Sequence, residues 1–258
     1  MNESLLAALV GGLFGAVIGS FLNVCIIRLP ADQSIVSPPS RCPNCGKQVE
    51  WRDNIPILSW LLLGGKCRGC RKPISILYPL VELAVALLWA AMAYRYGLGV
   101  QALTGAVFGT LLLGIALTDA REYIIPNEFS FGGLVIGLLL SAVGGLHPLL
   151  LALLGAAVGF AILWLVGEGG RWMLKKEAMG GGDMKMMAMV GTFVGWQGVL
   201  LTIFLGALVG TVIFLPLKLF GRKKEELPFG VFLAIGAAVT YLIGPAIVAW
   251  YQHYIGVQ

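Results

Sequence analysis

A chain of 258 residues that is 58% apolar and only 12% charged, with a mean hydropathy of +0.88, has too little polar surface to coat a soluble globule of its size. Several apolar runs reach the roughly 20 residues that a helix needs to cross about 30 Å of hydrocarbon, which excludes an anchored soluble domain and predicts an all-α polytopic membrane protein. The formal net charge of +5 does not point to nucleic acid, because the bases are dispersed over several loops.

The apolar runs fall at about 5–27, 76–94, 101–118, 129–146, 149–167, 184–195, 198–217 and 229–252, which predicts about eight transmembrane helices with a short sixth. The first run is too long for a signal's apolar core, carries Glu3 and no base ahead of it, and is interrupted late by Asn23, so it is read as a retained span. Placing Arg28 to Ser75 in the cytoplasm puts all 18 basic residues except Arg95 on the cytoplasmic side. Positive charge concentrates there in bilayer proteins, so both termini are expected outside. Three domains are expected: a first transmembrane helix over 1–29, a cytoplasmic four-cysteine insert over 30–75, and a membrane core over 76–258.

Four of the five cysteines lie in the insert, as Cys42-Pro43-Asn44-Cys45 and Cys67-Arg68-Gly69-Cys70 with 21 residues between the pairs. This is zinc-ribbon spacing: two tight turns each present two thiolates to one metal. Two disulfides are the rival, and a reducing cytoplasm disfavours them. Four thiolates leave no open coordination position, so the expected zinc is structural and supplies folding energy that a segment of some 45 residues cannot bury for itself. Cys25, inside the first span, reads as a small buried apolar side chain.

Acidic residues beside apolar spans are costly and usually face a cavity, a partner or a substrate path. Asp119 ends the third span ahead of the loop closed by Pro126 and Asn127, and Asp183 opens the sixth after Gly180-Gly181-Gly182. By the charge topology both lie at the cytoplasmic edge. Two carboxyls brought within a few ångströms share a proton, and the pair then supplies a base for an attacking water and an acid for the carbonyl and leaving amine. As ordinary interfacial charges they would do nothing, and Asp183 also fits a helix cap. Lys185 reads as a solvated end residue, and Glu82 as a third buried acid.

Taken in order, the strings Gly19-Ser20-Phe21-Leu22-Asn23-Val24, Arg28-Leu29-Pro30, the two C-x-x-C pairs with Asn54-Ile55-Pro56-Ile57-Leu58-Ser59-Trp60 between them, Tyr78-Pro79-Leu80-Val81-Glu82-Leu83, Asp119 with Ile125-Pro126-Asn127, Gly180-Gly181-Gly182-Asp183 and Pro228-Phe229-Gly230 resemble the bacterial type IV prepilin peptidases, which also process the pseudopilins of type II secretion. The resemblance implies an intramembrane aspartyl peptidase of the G-x-G-D kind with Asp119 and Asp183 catalytic. It further implies cleavage after a glycine in a short basic leader and N-methylation of the new terminus from S-adenosylmethionine, with prepilins, pseudopilins and membrane lipid as partners. No glycine-rich nucleotide loop marks a donor site. Asn127 stands where many relatives have Asp, and the middle residue of the G-x-G-D string is itself glycine.

An ion- or proton-coupled transporter, with the two acids on the ion path, would account equally well for the membrane carboxylates but not for the cysteine insert. A noncatalytic platform for a secretion machine is the third reading.

Overall fold

The computed structural model describes residues 2–175, 179–219 and 228–254. Among them the chain forms eight helices: α1 (Glu3–Arg28), α2 (Leu58–Leu62), α3 (Leu77–Tyr96), α4 (Val100–Glu122), α5 (Asn127–Val143), α6 (Leu146–Leu174), α7 (Gly181–Leu219) and α8 (Phe229–Tyr254). Six of these, α1, α3, α4, α6, α7 and α8, are long and apolar enough to cross a membrane, and α5 is a shorter apolar helix. The runs become helices because a backbone in hydrocarbon must satisfy its own polar groups. Lys176, Arg222, Lys223 and Lys224, four of the bases used for the topology, lie outside the described residues.

The predicted eight spans are recovered because α7 is two arms. Gly195 has φ +69° and ψ 177° inside it, a conformation essentially confined to glycine. The packing partners show that the chain reverses there. Along the first arm, 181–194, Met184, Met187 and Gly191 meet Gly167, Gly159 and Gly155 of α6 in turn. Along the second arm, 196–219, Gly198, Gly206 and Gly210 meet Thr240, Leu233 and Phe232 of α8. The start of α8, at Gly230, meets Ile125 as does Gly182 at the start of the first arm, so the second arm returns toward the end at which the first began. The backbones of Gly155 and Gly191 touch, and small residues at such crossings are what bring helices together where lipid is as apolar as leucine.

The chain divides into two compact units, residues 1–110 and 111–258. In the first, α1 lies against α3 along Gly11, Gly15 and Gly19, and a Cβ at Gly15 would stand 2.7 Å from that of Trp89. Cys25 is buried, as expected of an apolar side chain. Arg28 closes the helix by donating to the carbonyls of Ser34 at 2.9 Å and Pro38 at 2.8 Å. The polar insert contains α2 and a 3₁₀ turn at Trp51–Asp53, neither of which the periodicity predicted. Trp60 Nε1 donates to Ile74 O at 3.1 Å and Arg68 grips Asp53 with both Nε and Nη2, which holds the Asp53 carboxyl below its usual range.

Candidate active site and metal centre

The third span runs one turn beyond its predicted end. Asp119 is consequently inside the last turn of α4, 5% exposed, where its carbonyl accepts Tyr123 N–H at 3.0 Å. Tyr123 at φ +56° ends the helix, and Pro126 restarts the chain as the residue before α5. Asp183 is the third residue of α7 rather than its cap, and its N–H donates to Gly180 O at 3.2 Å.

The start of α7, which carries Asp183, and the start of α8, which meets Asp119, both pack on Ile125 of the short α4–α5 loop. A Cβ at Gly182, next to Asp183, would lie 3.1 Å from Ile125 Cβ, and one at Gly230 would lie 2.8 Å from Ile125 Cδ1 and 2.8 Å from Asp119 Oδ2. The two carboxyls are close enough for the charge of Asp119 to act on Asp183. Asp119 Oδ2 accepts the N–H of Val231 at 3.1 Å, and Gly230 lies directly beside the carboxylate. Those are the third and second residues of α8, so Asp119 caps that helix from another one. Amides at a helix start are otherwise unpaired and favour negative charge. Among the described residues no side-chain hydrogen bond is formed by Asp183. An acid with an N–H donor beside an acid without one is an asymmetric pair, suited to opposite roles.

Lys185 has a partner: its Nζ donates to Asn127 Oδ1 at 2.9 Å and stands 5.6 Å from the centre of the Phe131 ring. This ties the first arm of α7 to the start of α5 on either side of the Ile125 loop. The amides of α8, the Ile125 wedge and this tie were not found from sequence. The string Pro228-Phe229-Gly230 was the available signal for the first, but its role depends on a partner 112 positions away.

In the insert, the sulfurs of Cys42, Cys45, Cys67 and Cys70 all lie within 4.8 Å of one another, and those of Cys42 and Cys70 are 3.8 Å apart. Sulfurs arranged tetrahedrally about zinc at about 2.3 Å stand about 3.8 Å from each other, so the residues fit this metal. The two knuckles have the same backbone: Cys42 N donates to Lys47 O and Cys67 N to Lys72 O, both at 2.9 Å, while Gly46 N and Arg71 N return to Cys42 O and Cys67 O. The N–H groups of Cys45 and Asn44 hold the Cys42 thiol down at about 6, and those of Cys70 and Gly69 lower that of Cys67. Although the Lys72 amide lowers it, burial and the other three sulfurs push the Cys70 thiol up to about 11, so without a metal the cluster favours the thiolate that a metal takes at Cys42 and Cys67 but not at Cys70.

Residues 106–215 match the family described as type IV leader peptidase family, and residues 13–96 match the bacterial peptidase A24 N-terminal domain. A prepilin leader peptidase/N-methyltransferase of Aeromonas hydrophila is 36% identical over 93% of this chain and 91% of its own. The chain belongs to the type IV leader peptidase family. Two other family members with the same name are as similar: that of Myxococcus xanthus is 40% identical over 88% of this chain and 71% of its own, and that of Pseudomonas aeruginosa 37% over 95% and 93%. No solved structure matches. Family membership gives the transporter reading no support, and the expected all-α, multi-pass architecture stands.

Proposed function

We propose that the chain is an intramembrane aspartyl endopeptidase that removes the basic leader of prepilins and pseudopilins after a glycine, and that it N-methylates the new terminus from S-adenosylmethionine. The observation that carries the first activity is the meeting at Ile125 of the start of α7, which carries Asp183, and the start of α8, which meets Asp119, with the α8 amides at one carboxylate only. Asp119 is the base, since the α8 start with its Val231 amide stabilises its negative charge. Asp183, protonated, donates to the scissile carbonyl. Asp119 takes a proton from water as the oxygen attacks; the tetrahedral species collapses with a proton passing to the departing amine, and an acid and an amine result.

The placement of basic residues supports an active site facing the cytoplasm with both termini outside, which is where a positively charged leader would remain. We read 1–29 as the first transmembrane helix, 30–75 as the cytoplasmic metal-binding insert and 76–258 as the peptidase core. Cys42, Cys45, Cys67 and Cys70 would hold a structural zinc, which cross-links the insert. The N-methyltransferase half of the proposal rests on the names of the relatives.

The test is cleavage of a prepilin-like peptide in lipid by wild type, Asp119→Asn and Asp183→Asn, with the mass of the new terminus read with and without S-adenosylmethionine. Both variants should lose at least about 10³-fold in rate, and wild type should add one methyl group only with the donor. Cleavage by either variant at near wild-type rate rejects the dyad.

A further inference from the structure

Glu82 is the one other buried acid among the described residues, 8% exposed on α3, and the peptidase chemistry gives it no task. Its Oε2 accepts the backbone N–H of Ile57 at 2.6 Å, and Ser20 of α1 lies near enough to act on it. Asn23 of α1 donates to Tyr78 O at 3.0 Å and Gly19 fits against the Glu82 backbone, which fixes the floor of the site. Among the described residues it forms no salt bridge, and none of the surrounding elements, α1, α3 or the Ile57 loop, brings a second charge to it.

The lid over this carboxylate is strained. Ile57 has φ +64° and ψ −53°, and Leu58 N donates to Pro56 O at 2.5 Å, which makes Pro56-Ile57-Leu58 a γ-turn of the rare positive-φ kind around a β-branched residue. A buried carboxylate capped by one amide of a strained turn is a site whose cap a stronger donor can replace. A primary ammonium is such a donor, with a full charge and three N–H bonds.

We propose that Glu82 is the amine site of N-methylation: the turn at Ile57 lifts, and the free N-terminal ammonium of the cleaved peptide takes its place on the carboxylate. This rests on the N-methyltransferase reading above. The carboxylate removes one proton from the ammonium and frees the nitrogen lone pair. That nitrogen then bonds the methyl carbon of a sulfonium donor as the carbon–sulfur bond breaks with its electrons onto sulfur. The positive charge passes from sulfur to the methylated nitrogen, and the proton on Glu82 leaves to water.

The experiment uses the full chain in lipid with a mature-sequence peptide bearing either a free or an acetylated N-terminus. Without donor, wild type binds the free-amine peptide at least about tenfold tighter, and Glu82→Gln shows no preference. With S-adenosylmethionine at pH 7, Glu82→Gln methylates at least about 100-fold more slowly while cleaving prepilin within about twofold of wild type. Its deficit shrinks as the pH rises to 9, where a terminal amine of pKa about 8 deprotonates unaided. In wild type, hydrogen exchange at the Ile57 amide accelerates with the free-amine peptide and not with the acetylated one, a readout that needs no variant to fold. Methylation by Glu82→Gln within threefold of wild type at pH 7, a deficit equal at pH 7 and 9, or unchanged exchange at Ile57 overturns the proposal. A wild type that never methylates rejects the underlying reading as well.

Discussion

Gly230 lies so close to Asp119 that a methyl group in its place would stand 2.8 Å from the carboxylate oxygen, with Ile125 Cδ1 at the same distance on the other side. Gly230→Ala must therefore push the carboxylate, the loop or both. Displacements of about 1 Å in a catalytic group cost on the order of 100-fold. Peptide cleavage by Gly230→Ala should fall by about that factor while zinc content and helical signal stay at wild-type values; full activity would show that Asp119 tolerates the shift.

Lys185→Met keeps an apolar stem over Phe131 and removes the bond to Asn127. A partly solvated charge-assisted bond contributes about 0.5–1.5 kcal/mol, so cleavage should slow by less than about tenfold. A loss as complete as that of either aspartate variant would place Lys185 in the chemistry instead.

At the equivalent position of the two knuckles, just after the second cysteine, Gly46 has φ +70° and Arg71 has φ +58°. A left-handed conformation costs a non-glycine residue roughly 1–2 kcal/mol. Arg71→Gly should therefore retain metal longer against a chelator, by about fivefold or more, and Gly46→Arg should release it faster. Cys67→Ser should lose the metal outright, measured as zinc per chain.

Gly195→Ala places a Cβ in a conformation that only glycine adopts freely, at a cost of about 1–3 kcal/mol. The melting temperature in detergent should drop by roughly 2–10 °C. An unchanged melt would mean that the reversal in α7 accommodates a side chain by shifting its neighbours.

Much of this was written in the residues. Apolar run length located α1, α3 and α8 to within a few residues but ended α6 seven residues early, and the polar break after 195 separated the two arms of α7 because a bilayer tolerates only helices and tight reversals. The cysteine spacing alone brought four sulfurs together. Short elements escaped: α2 has five residues, fewer than any periodicity can reveal. The surroundings of the aspartates escaped for a different reason. That Val231 would donate to Asp119, that Ile125 would wedge between Gly182 and Gly230, or that Ile57 would turn over Glu82 depends on neighbours supplied by other helices, and no local pattern encodes them.

The arm that carries Asp183 has a consequence for the surrounding lipid. Residues 181–194 of α7 rise about 21 Å at 1.5 Å each, and the 17 residues of α5 beside it about 25 Å, both short of a hydrocarbon core of roughly 30 Å. A bilayer meets such a mismatch by thinning. The proposed scissile site then sits over a local dimple in the membrane, and the acyl-chain length of the host lipid becomes a setting on how far an entering substrate helix must rise to reach it.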